Sequence, residues 1–319
     1  MHDVILLADK NSKSWTFAKK IQDYLQETKE CKVPLKEVLI NHFRNGEVDM
    51  HVPENVRKKE IYFIHDSTKN PQEWWVQLML LKDLLLSASA ESVSFVLPNM
   101  LYSRKDRKEK PHVPISARTL AKTISPDLKR IITMDLHASQ IQGFYNESIP
   151  IDNLYSFPEV VKYLEKKPLG NLEELVILSP DSGGVSRARA FAQKLGIENP
   201  LAMIYKQREK AGEVKEMKLV GDVKDKDVLI VDDIIDSGGT LCEAAKLLKE
   251  YRAKNLFCYG THGIFTNGTC ALLNNFQRVM TSNTHYIETN GVEVIDMSSV
   301  FAEAIYRAQK GLSISKLFE

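Results

Sequence analysis

The 319-residue sequence contains few cysteines, and the four that it has are scattered. Cys31, Cys242, Cys258 and Cys270 lie far apart and form no CxxC pair. This spacing argues against a structural zinc site and against a disulfide framework. Three of the four lie in or beside apolar runs, where a free thiol usually fills space in a core.

A strong charge of either sign is also missing, since 43 basic and 42 acidic residues leave a formal net charge of +1. Such a chain has no overall field to attract nucleic acid, so any anion site must be a local cluster. No run approaches the ~20 apolar residues of a membrane span, and the short apolar run near the N-terminus has no basic segment before it, unlike a signal peptide. We therefore expect a soluble, cytoplasmic protein that binds neither nucleic acid nor membranes.

Short apolar runs alternate along the chain with longer segments in which apolar residues recur every three or four positions. This alternation predicts an α/β fold with mainly parallel strands. The predicted strands are 4–7, 60–65, 93–97, 130–134, 175–178, 228–231, 255–259 and 278–281, and the predicted helices are 14–25, 74–88, 116–124, 185–195 and 241–251. The segment 150–158 has two prolines and little periodicity, so we expect a domain boundary there.

The tetrapeptide DSGG occurs twice, at 181–184 and at 236–239, each time after a predicted strand. Parallel sheets bind their ligands beyond the carboxyl ends of the strands. Successive backbone N–H groups in a glycine-rich turn that opens a helix suit a phosphate monoester, and Ser237 and Thr240 add hydroxyl donors. The second turn is not a Walker A loop, because it lacks the lysine and the spacing of that motif.

Two carboxylates, Asp232 and Asp233, stand two residues before the second turn. They would repel a bare polyphosphate, but they suit a site in which they accept hydrogen bonds from sugar hydroxyls or hold a divalent cation. A sugar phosphate would satisfy both the carboxylates and the turn. An aspartate-capped helix would explain Asp236 and one glycine, but it would leave Asp232 and Asp233 unexplained.

The stretch VLIVDDIIDSGGTL at 228–241 resembles the loop that binds phosphoribosyl pyrophosphate in type I phosphoribosyltransferases and in ribose-phosphate pyrophosphokinases. Further stretches resemble the second family, and they extend the resemblance over nearly the whole chain: HFRNGE at 42–47, YSRKDRK at 102–108, MDLHASQIQGF at 134–144 and SPDSGGVSRARAFAQKLG at 179–196. The resemblance implies two similar three-layer α/β domains of type I phosphoribosyltransferase fold, 1–154 and 155–301, with a tail, 302–319, that packs on the first.

The reaction that the resemblance implies converts ATP and ribose 5-phosphate into AMP and 5-phosphoribosyl 1-pyrophosphate, with Mg²⁺ as the cofactor. The C1 hydroxyl of the sugar attacks the β-phosphorus of ATP, so a diphosphoryl group moves. Such a transfer needs in-line positioning and neutralisation of charge on the migrating oxygens. The resemblance also implies self-association, the family's commonest form being a hexamer built from dimers, with a nucleotide site that neighbouring subunits share.

The resemblance assigns roles to individual residues. Ribose 5-phosphate would be bound by Asp232 and Asp233 through its hydroxyls and by the cradle Asp236, Ser237, Gly238, Gly239 and Thr240 through its phosphate. ATP would be contacted by Phe43, Asn45, Glu47, Arg104, Lys105, Asp106 and His137, and its Mg²⁺ would be held by His137 and Asp181. Lys206 and Arg208 match the catalytic basic residues at the start of a mobile loop, and the charged segment 206–218 reads by itself as a solvated loop.

Two other functions stay open at this point. A regulatory homologue of an active synthetase is kept open by Asn45 and Tyr205, which depart from the family pattern. Retention of Lys206, Arg208 and the complete 232–240 stretch favours an active enzyme instead. A phosphoribosyltransferase, which would consume phosphoribosyl pyrophosphate, is disfavoured by the HFRNGE and MDLHA stretches.

Overall fold

The computed structural model describes residues 3–198, 200–210 and 213–319, and for 206–210 and 213–216 it describes the backbone only. In chain order the elements are β1 (Val4–Asp9), α1 (Ser14–Lys29), β2 (Leu35–His42), β3 (Val48–His51), β4 (Glu60–Ile64), α2 (Pro71–Ser87), β5 (Ser92–Leu97), α3 (Ser116–Ile124), β6 (Arg130–Met134), β7 (Ile151–Leu154), α4 (Phe157–Lys166), β8 (Leu175–Ser179), α5 (Val185–Lys194), β9 (Ala202–Lys210), β10 (Glu213–Val220), β11 (Asp227–Ile235), α6 (Gly239–Glu250), β12 (Asn255–Gly263), α7 (Cys270–Leu273), β13 (Arg278–Ser282), β14 (Val292–Ile295) and α8 (Ser298–Lys310). Four short 3-10 helices accompany them, among them Ser139–Phe144.

The chain divides into two compact units. The first contains the chain up to Tyr155 together with Thr284–Tyr286 and Met297–Glu319, and the second contains Ser156–Asn283 and Ile287–Asp296. Each unit has one sheet of seven strands, and the second repeats the strand order of the first: β3-β2-β1-β4-β5-β6-β7 and β10-β9-β8-β11-β12-β13-β14. In each sheet an antiparallel edge pair precedes a parallel remainder. The predicted α/β fold with mainly parallel sheets is confirmed.

The first sheet is buried on both faces by helices. On one side α2 and α3 place Trp74, Leu78 and Leu120 in a core with Phe63 and Phe95 of the strands. On the other side α1 packs against α8, where the Phe17 and Phe301 ring centroids are 5.4 Å apart. Strands covered on both faces are mostly apolar along their whole length, which explains why the predicted strands are nearly continuous apolar runs.

The second sheet is built in the same way. Leu241, Ala244 and Leu248 of α6 are buried in one core with the strands β8 and β11, and Phe191 of α5 lies 5.5 Å from the ring of Tyr259. Within the described part of the chain, no helix has the length and apolar character needed to cross a membrane.

The prediction of a loop at 206–218 is wrong for most of that segment, because the strands β9 and β10 pair antiparallel there. An edge hairpin needs only one buried face, so a strongly charged sequence can still form it. The part of β10 with described side chains shows this pattern, since Met217 and Leu219 pack on the core while Lys218 and Val220 are exposed. Charges along the edge also discourage pairing with another sheet.

An ion pair joins the last two strands of the second sheet. The Arg278 guanidinium donates to both carboxylate oxygens of Glu293 at 2.7 Å each, and its Nη1 donates to the carbonyls of Lys167 and Pro168 at 2.9 and 3.1 Å. The hydrogen bonds from Arg278 hold the pKa of Glu293 below its usual value. The pair therefore stabilises the folded protein above the unfolded pKa of a glutamate, ~4.3, and this contribution is lost as the pH falls through the lower folded value.

Arg278→Met should lower the free energy of unfolding by about 1–3 kcal/mol at pH 7, between the values for exposed and buried ion pairs. The difference from the wild type should shrink as the pH falls below the unfolded pKa of a glutamate, ~4.3, towards the lower pKa of Glu293 in the folded protein. Urea unfolding at pH 7 and pH 3.5 measures both effects. Arg252→Met is the matched control, because its partner Asp225 and Arg252 itself are 66% and 68% exposed. An equal loss at both pH values would contradict a role for the Glu293 charge.

Candidate functional site

The carboxyl end of β11 carries the two predicted sugar-binding carboxylates. The side chains of Asp232 and Asp233 are 17% and 7% exposed, and the Asp233 N–H donates to Asp232 Oδ1 at 2.9 Å. Burial, together with the neighbouring Asp233 carboxylate, raises the pKa of Asp232 well above its usual value. The protein therefore keeps two carboxylates together at an energetic cost, as a functional site often does.

Arg187 of α5 reaches these carboxylates, and sequence reasoning did not identify it. Its Nη1 lies 3.2 Å from Asp233 Oδ1 and 3.8 Å from Asp232 Oδ1. The guanidinium opposes the rise in the pKa of Asp232. The sequence signal for Arg187 is its position two residues after the start of the helix that follows the first DSGG turn. A basic residue in an amphipathic helix does not by itself indicate a functional role, because its partner on the neighbouring strand is not visible in the sequence.

The second DSGG turn joins β11 to the N-terminus of α6. Asp236 is fixed by Thr266, whose hydroxyl donates to Asp236 Oδ1 at 2.9 Å and whose N–H donates to the Asp236 carbonyl at 3.1 Å. Gly238 has φ +77°, and its carbonyl accepts from Cys242 N at 3.0 Å as the helix begins. Ser237, Gly239 and Thr240 are exposed. The turn therefore presents donors at a helix N-terminus, the arrangement that binds phosphate.

Gly238→Ala should destabilise the folded protein by about 1–3 kcal/mol, the usual cost of a strained left-handed residue. Its φ of +77° disfavours any side chain, and an added Cβ would lie 3.0 Å from Leu272 Cγ. Gly239→Ala is the matched control, because the nearest atom to its Cβ would be Ser237 Oγ at an ordinary 3.6 Å. Urea unfolding of both variants measures the difference, and equal stabilities would show that the strain at Gly238 is absent.

The first DSGG turn has a different geometry. Asp181 is exposed, and its Oδ1 accepts from Gly184 N at 3.0 Å. A Cβ at Gly184 would lie 2.6 Å from Ser179 Oγ, so any larger residue here would force the Ser179 hydroxyl at the end of β8 to move. The charge of Asp181 contributes to the raised pKa of Asp232. The second unit thus brings Asp181, Arg187 and the β11 carboxylates to one edge of its sheet.

In the first unit, Phe43, Asn45 and Glu47 lie in the turn between β2 and β3. Phe43 N donates to the Glu47 carbonyl at 2.9 Å and Gly46 N to the Phe43 carbonyl at 2.8 Å, while Glu47 N donates to Asn45 Oδ1 at 3.2 Å. Phe43 is 57% exposed. The turn is closed by its own hydrogen bonds and leaves an aromatic ring at the surface.

The other two predicted ATP-contacting segments of the first unit are joined to each other. Arg104 and Lys105 are exposed, and so is His137 after β6. Gln140, three residues after His137, donates from Nε2 to Asp106 Oδ2 at 2.9 Å. The 104–106 segment is therefore tied to the segment that carries His137.

Lys206 and Arg208 lie on β9, where their backbones are paired with Met217 and Val214 of β10. Their side chains lie outside the described part of the structure, so their catalytic role stays a prediction. Among the residues that the structure describes, no group of three or more histidine, cysteine or acidic side chains could hold a metal ion. His137 belongs to the first unit and Asp181 to the second, and their role as metal ligands likewise stays a prediction.

Comparisons with known proteins define first a class and then a family. Residues 151–298 match the phosphoribosyl transferase domain, which places the second unit in the phosphoribosyltransferase fold class. Residues 6–126 match the N-terminal domain of ribose phosphate pyrophosphokinase. The chain belongs to the ribose-phosphate pyrophosphokinase family. The predicted family and the prediction of an enzyme are both confirmed.

Relatives of full length support this assignment. The ribose-phosphate pyrophosphokinase of Cereibacter sphaeroides is 36% identical over 312 residues, which cover 95% of this chain and 92% of that protein. Ribose-phosphate pyrophosphokinase 4 of Saccharomyces cerevisiae is 38% identical over 300 residues, 92% of this chain and 90% of that protein. The crystal structure of phosphoribosylpyrophosphate synthetase from Mycobacterium smegmatis matches with a TM-score of 0.84 at 28% identity, covering 97% of this chain and 99% of that one.

Proposed function

We propose that this chain transfers the diphosphoryl group of ATP to the C1 hydroxyl of ribose 5-phosphate, forming AMP and 5-phosphoribosyl 1-pyrophosphate. The observation that carries the proposal is the pair Asp232 and Asp233 near the carboxyl end of β11, two residues before a glycine-rich turn at the N-terminus of α6. The carboxylates can accept hydrogen bonds from the sugar hydroxyls, and the backbone N–H groups of the turn can donate hydrogen bonds to the phosphate. The two groups therefore match the two ends of a sugar phosphate.

The sugar phosphate would bind across this edge of the second sheet. Asp232 and Asp233 accept hydrogen bonds from the ribose hydroxyls, and charged acceptors make such bonds stronger than neutral ones. The backbone N–H groups of Gly238 and Gly239 receive the 5-phosphate, with the hydroxyls of Ser237 and Thr240 as further donors. Asp236, held by Thr266, fixes the shape of the turn.

The first unit would supply the contacts to ATP. Phe43 offers an exposed face for stacking on the base, and Asn45 and Glu47 in the same turn offer acceptors for the adenosine. Arg104 and Lys105 add positive charge for the triphosphate, while Asp106 holds that segment beside the His137 segment. We also propose that the protein self-associates into a hexamer built from dimers, so that the Phe43 turn of one subunit serves the nucleotide of a neighbour.

Asp181 and His137 would hold the Mg²⁺ that accompanies ATP. Asp181 fits this role, because its exposed carboxylate is oriented by the Gly184 N–H and Mg²⁺ commonly binds proteins through one or two carboxylates while keeping water and phosphate ligands. His137 is the less usual ligand, since Mg²⁺ prefers oxygen. When bound, the ion neutralises negative charge on the ATP phosphates.

In the reaction, the C1 oxygen of the sugar forms a bond to the β-phosphorus and gives up its proton to water. The bond from the β-phosphorus to the oxygen bridging the α-phosphorus breaks, and AMP leaves with the electron pair. Negative charge is spread over the migrating oxygens in such transfers. Lys206 and Arg208 would stabilise that charge, which requires them to be near the β-phosphate only while the substrates are bound.

Phosphorus NMR tests the proposal directly. Purified protein is mixed with ATP, ribose 5-phosphate and Mg²⁺, and the products are followed over time. AMP together with a pyrophosphorylated sugar is the expected result. ADP as the nucleotide product would exclude diphosphoryl transfer, and no turnover would favour the regulatory homologue.

A further inference from the structure

Arg187 bridges the two segments that form the sugar-phosphate edge of the second unit. It stands in the first turn of α5, the helix that Asp181 and Gly184 introduce. Its guanidinium reaches across to β11, 3.2 Å from Asp233 Oδ1 and 3.8 Å from Asp232 Oδ1. One side chain therefore connects the end of β8 to the two carboxylates at the end of β11.

The burial of these groups makes the contact significant. The side chains of Arg187, Asp232 and Asp233 are 16%, 17% and 7% exposed. Two adjacent carboxylates repel each other, and a charge removed from water needs a partner of opposite sign. A largely buried guanidinium 3.2 Å from Asp233 provides that partner and also fixes the orientation of the carboxylate.

We propose that Arg187 is a positioning residue for the sugar, which acts by holding Asp233 in the orientation that accepts the ribose hydroxyls. The proposal rests on the assignment of Asp232 and Asp233 to ribose 5-phosphate made above. Arg187 Nη1 donates to Asp233 Oδ1 at 3.2 Å, and a hydrogen bond between two charged groups holds the carboxylate more firmly than a neutral one. The planar guanidinium also reaches two carboxylates at once, which the point charge of a lysine does less well.

Arg187→Met removes the cation and keeps most of the side-chain volume. We expect the KM for ribose 5-phosphate to rise about 10- to 100-fold, the range for losing a charged hydrogen bond, with kcat and the KM for ATP changed less than about threefold. Arg189→Met is the matched control, because Arg189 is an exposed residue of the same helix. Arg187→Lys should give an intermediate KM. If Arg187→Met leaves the KM for the sugar unchanged, or changes it no more than Arg189→Met does, the proposal is wrong.

A double-mutant cycle separates positioning from general damage to the fold. If Arg187 acts through Asp233, adding Arg187→Met to Asp233→Asn should change the KM by less than about twofold. Independent roles would instead multiply the two single effects. Should Arg187→Met fail to fold, as judged by its melting curve, the same cycle is run with Arg187→Lys and decides between these outcomes.

Calorimetric titration of ribose 5-phosphate without ATP adds a measurement that does not depend on turnover. Arg187→Met should weaken this binding by the same factor as the KM, and unaltered binding would overturn the proposal. A different result, the absence of AMP formation by the wild type, would contradict the proposed reaction. In that case the titration still shows whether Arg187 supports sugar binding.

Discussion

Lys206→Ala should lower kcat at saturating ATP and ribose 5-phosphate by about 10³- to 10⁵-fold, the range for removing a cation that stabilises the phosphoryl transition state. The loss should be confined to the chemical step, because Lys206 is assigned to the charge that develops on the migrating group and not to the bound sugar. Binding of ribose 5-phosphate, measured by calorimetry, should therefore change little. A quenched-flow measurement of AMP formation gives the rate of the step itself.

Lys218→Ala is the control for this substitution. Lys218 is another lysine of the same hairpin, an exposed residue of β10 opposite Tyr205, so it tests whether any loss of positive charge in the hairpin slows the reaction. We expect its kcat to stay within about threefold of the wild type. Similar losses in both variants would remove Lys206 from its assigned role and point to the net charge of the hairpin instead.

Asp232→Asn should weaken sugar binding and stabilise the unliganded protein at the same time. The neutral amide loses a charged acceptor for the ribose, so the KM for ribose 5-phosphate should rise about 10- to 100-fold. Burial and Asp233 raise the pKa of Asp232 in the folded state. A raised carboxyl pKa means that ionisation opposes folding, so stability is fully present below the unfolded pKa of ~3.9 and is lost as the pH rises through the folded value.

The variant should consequently have a higher melting temperature than the wild type at pH 8, and the gap should close at about pH 4, where Asp232 is protonated in both the folded and much of the unfolded protein. Differential scanning calorimetry across this range measures the gap. Glu250→Gln, which neutralises an exposed acid at the end of α6, should show neither effect. A lower melting temperature for Asp232→Asn at pH 8 would mean that the carboxylate stabilises the free protein.

Much of the fold is predictable because each buried parallel strand is a recognisable apolar run in the sequence. The run at Val4–Asp9 is buried at every position and is apolar up to Ala8, because strands covered on both faces form nearly continuous apolar runs. The edge elements give weaker signals. β14 has four residues, and the charged hairpin of β9 and β10 resembles a solvated loop until its pairing partner is known.

The candidate site divides in the same way. Asp232 and Asp233 are recognisable because they follow a long apolar run and precede a glycine-rich turn, all within one local stretch. Arg187 is not recognisable, since its meaning arises from a contact across 46 residues of sequence. Residue periodicity describes what one element needs for its own burial, whereas the partner of a charged side chain is fixed by how neighbouring elements are arranged.

The first unit is not encoded by one continuous part of the gene. Thr284–Tyr286 and Met297–Glu319 return to the first unit after the second has been built, and Phe17 packs on both, 5.3 Å from the ring of Tyr286 and 5.4 Å from that of Phe301. A gene cut after Tyr155 would encode a first half lacking the aromatic rings that cover α1. The first half can therefore not be exchanged between genes as a self-contained module, because its fold is completed by segments that are encoded after the second unit.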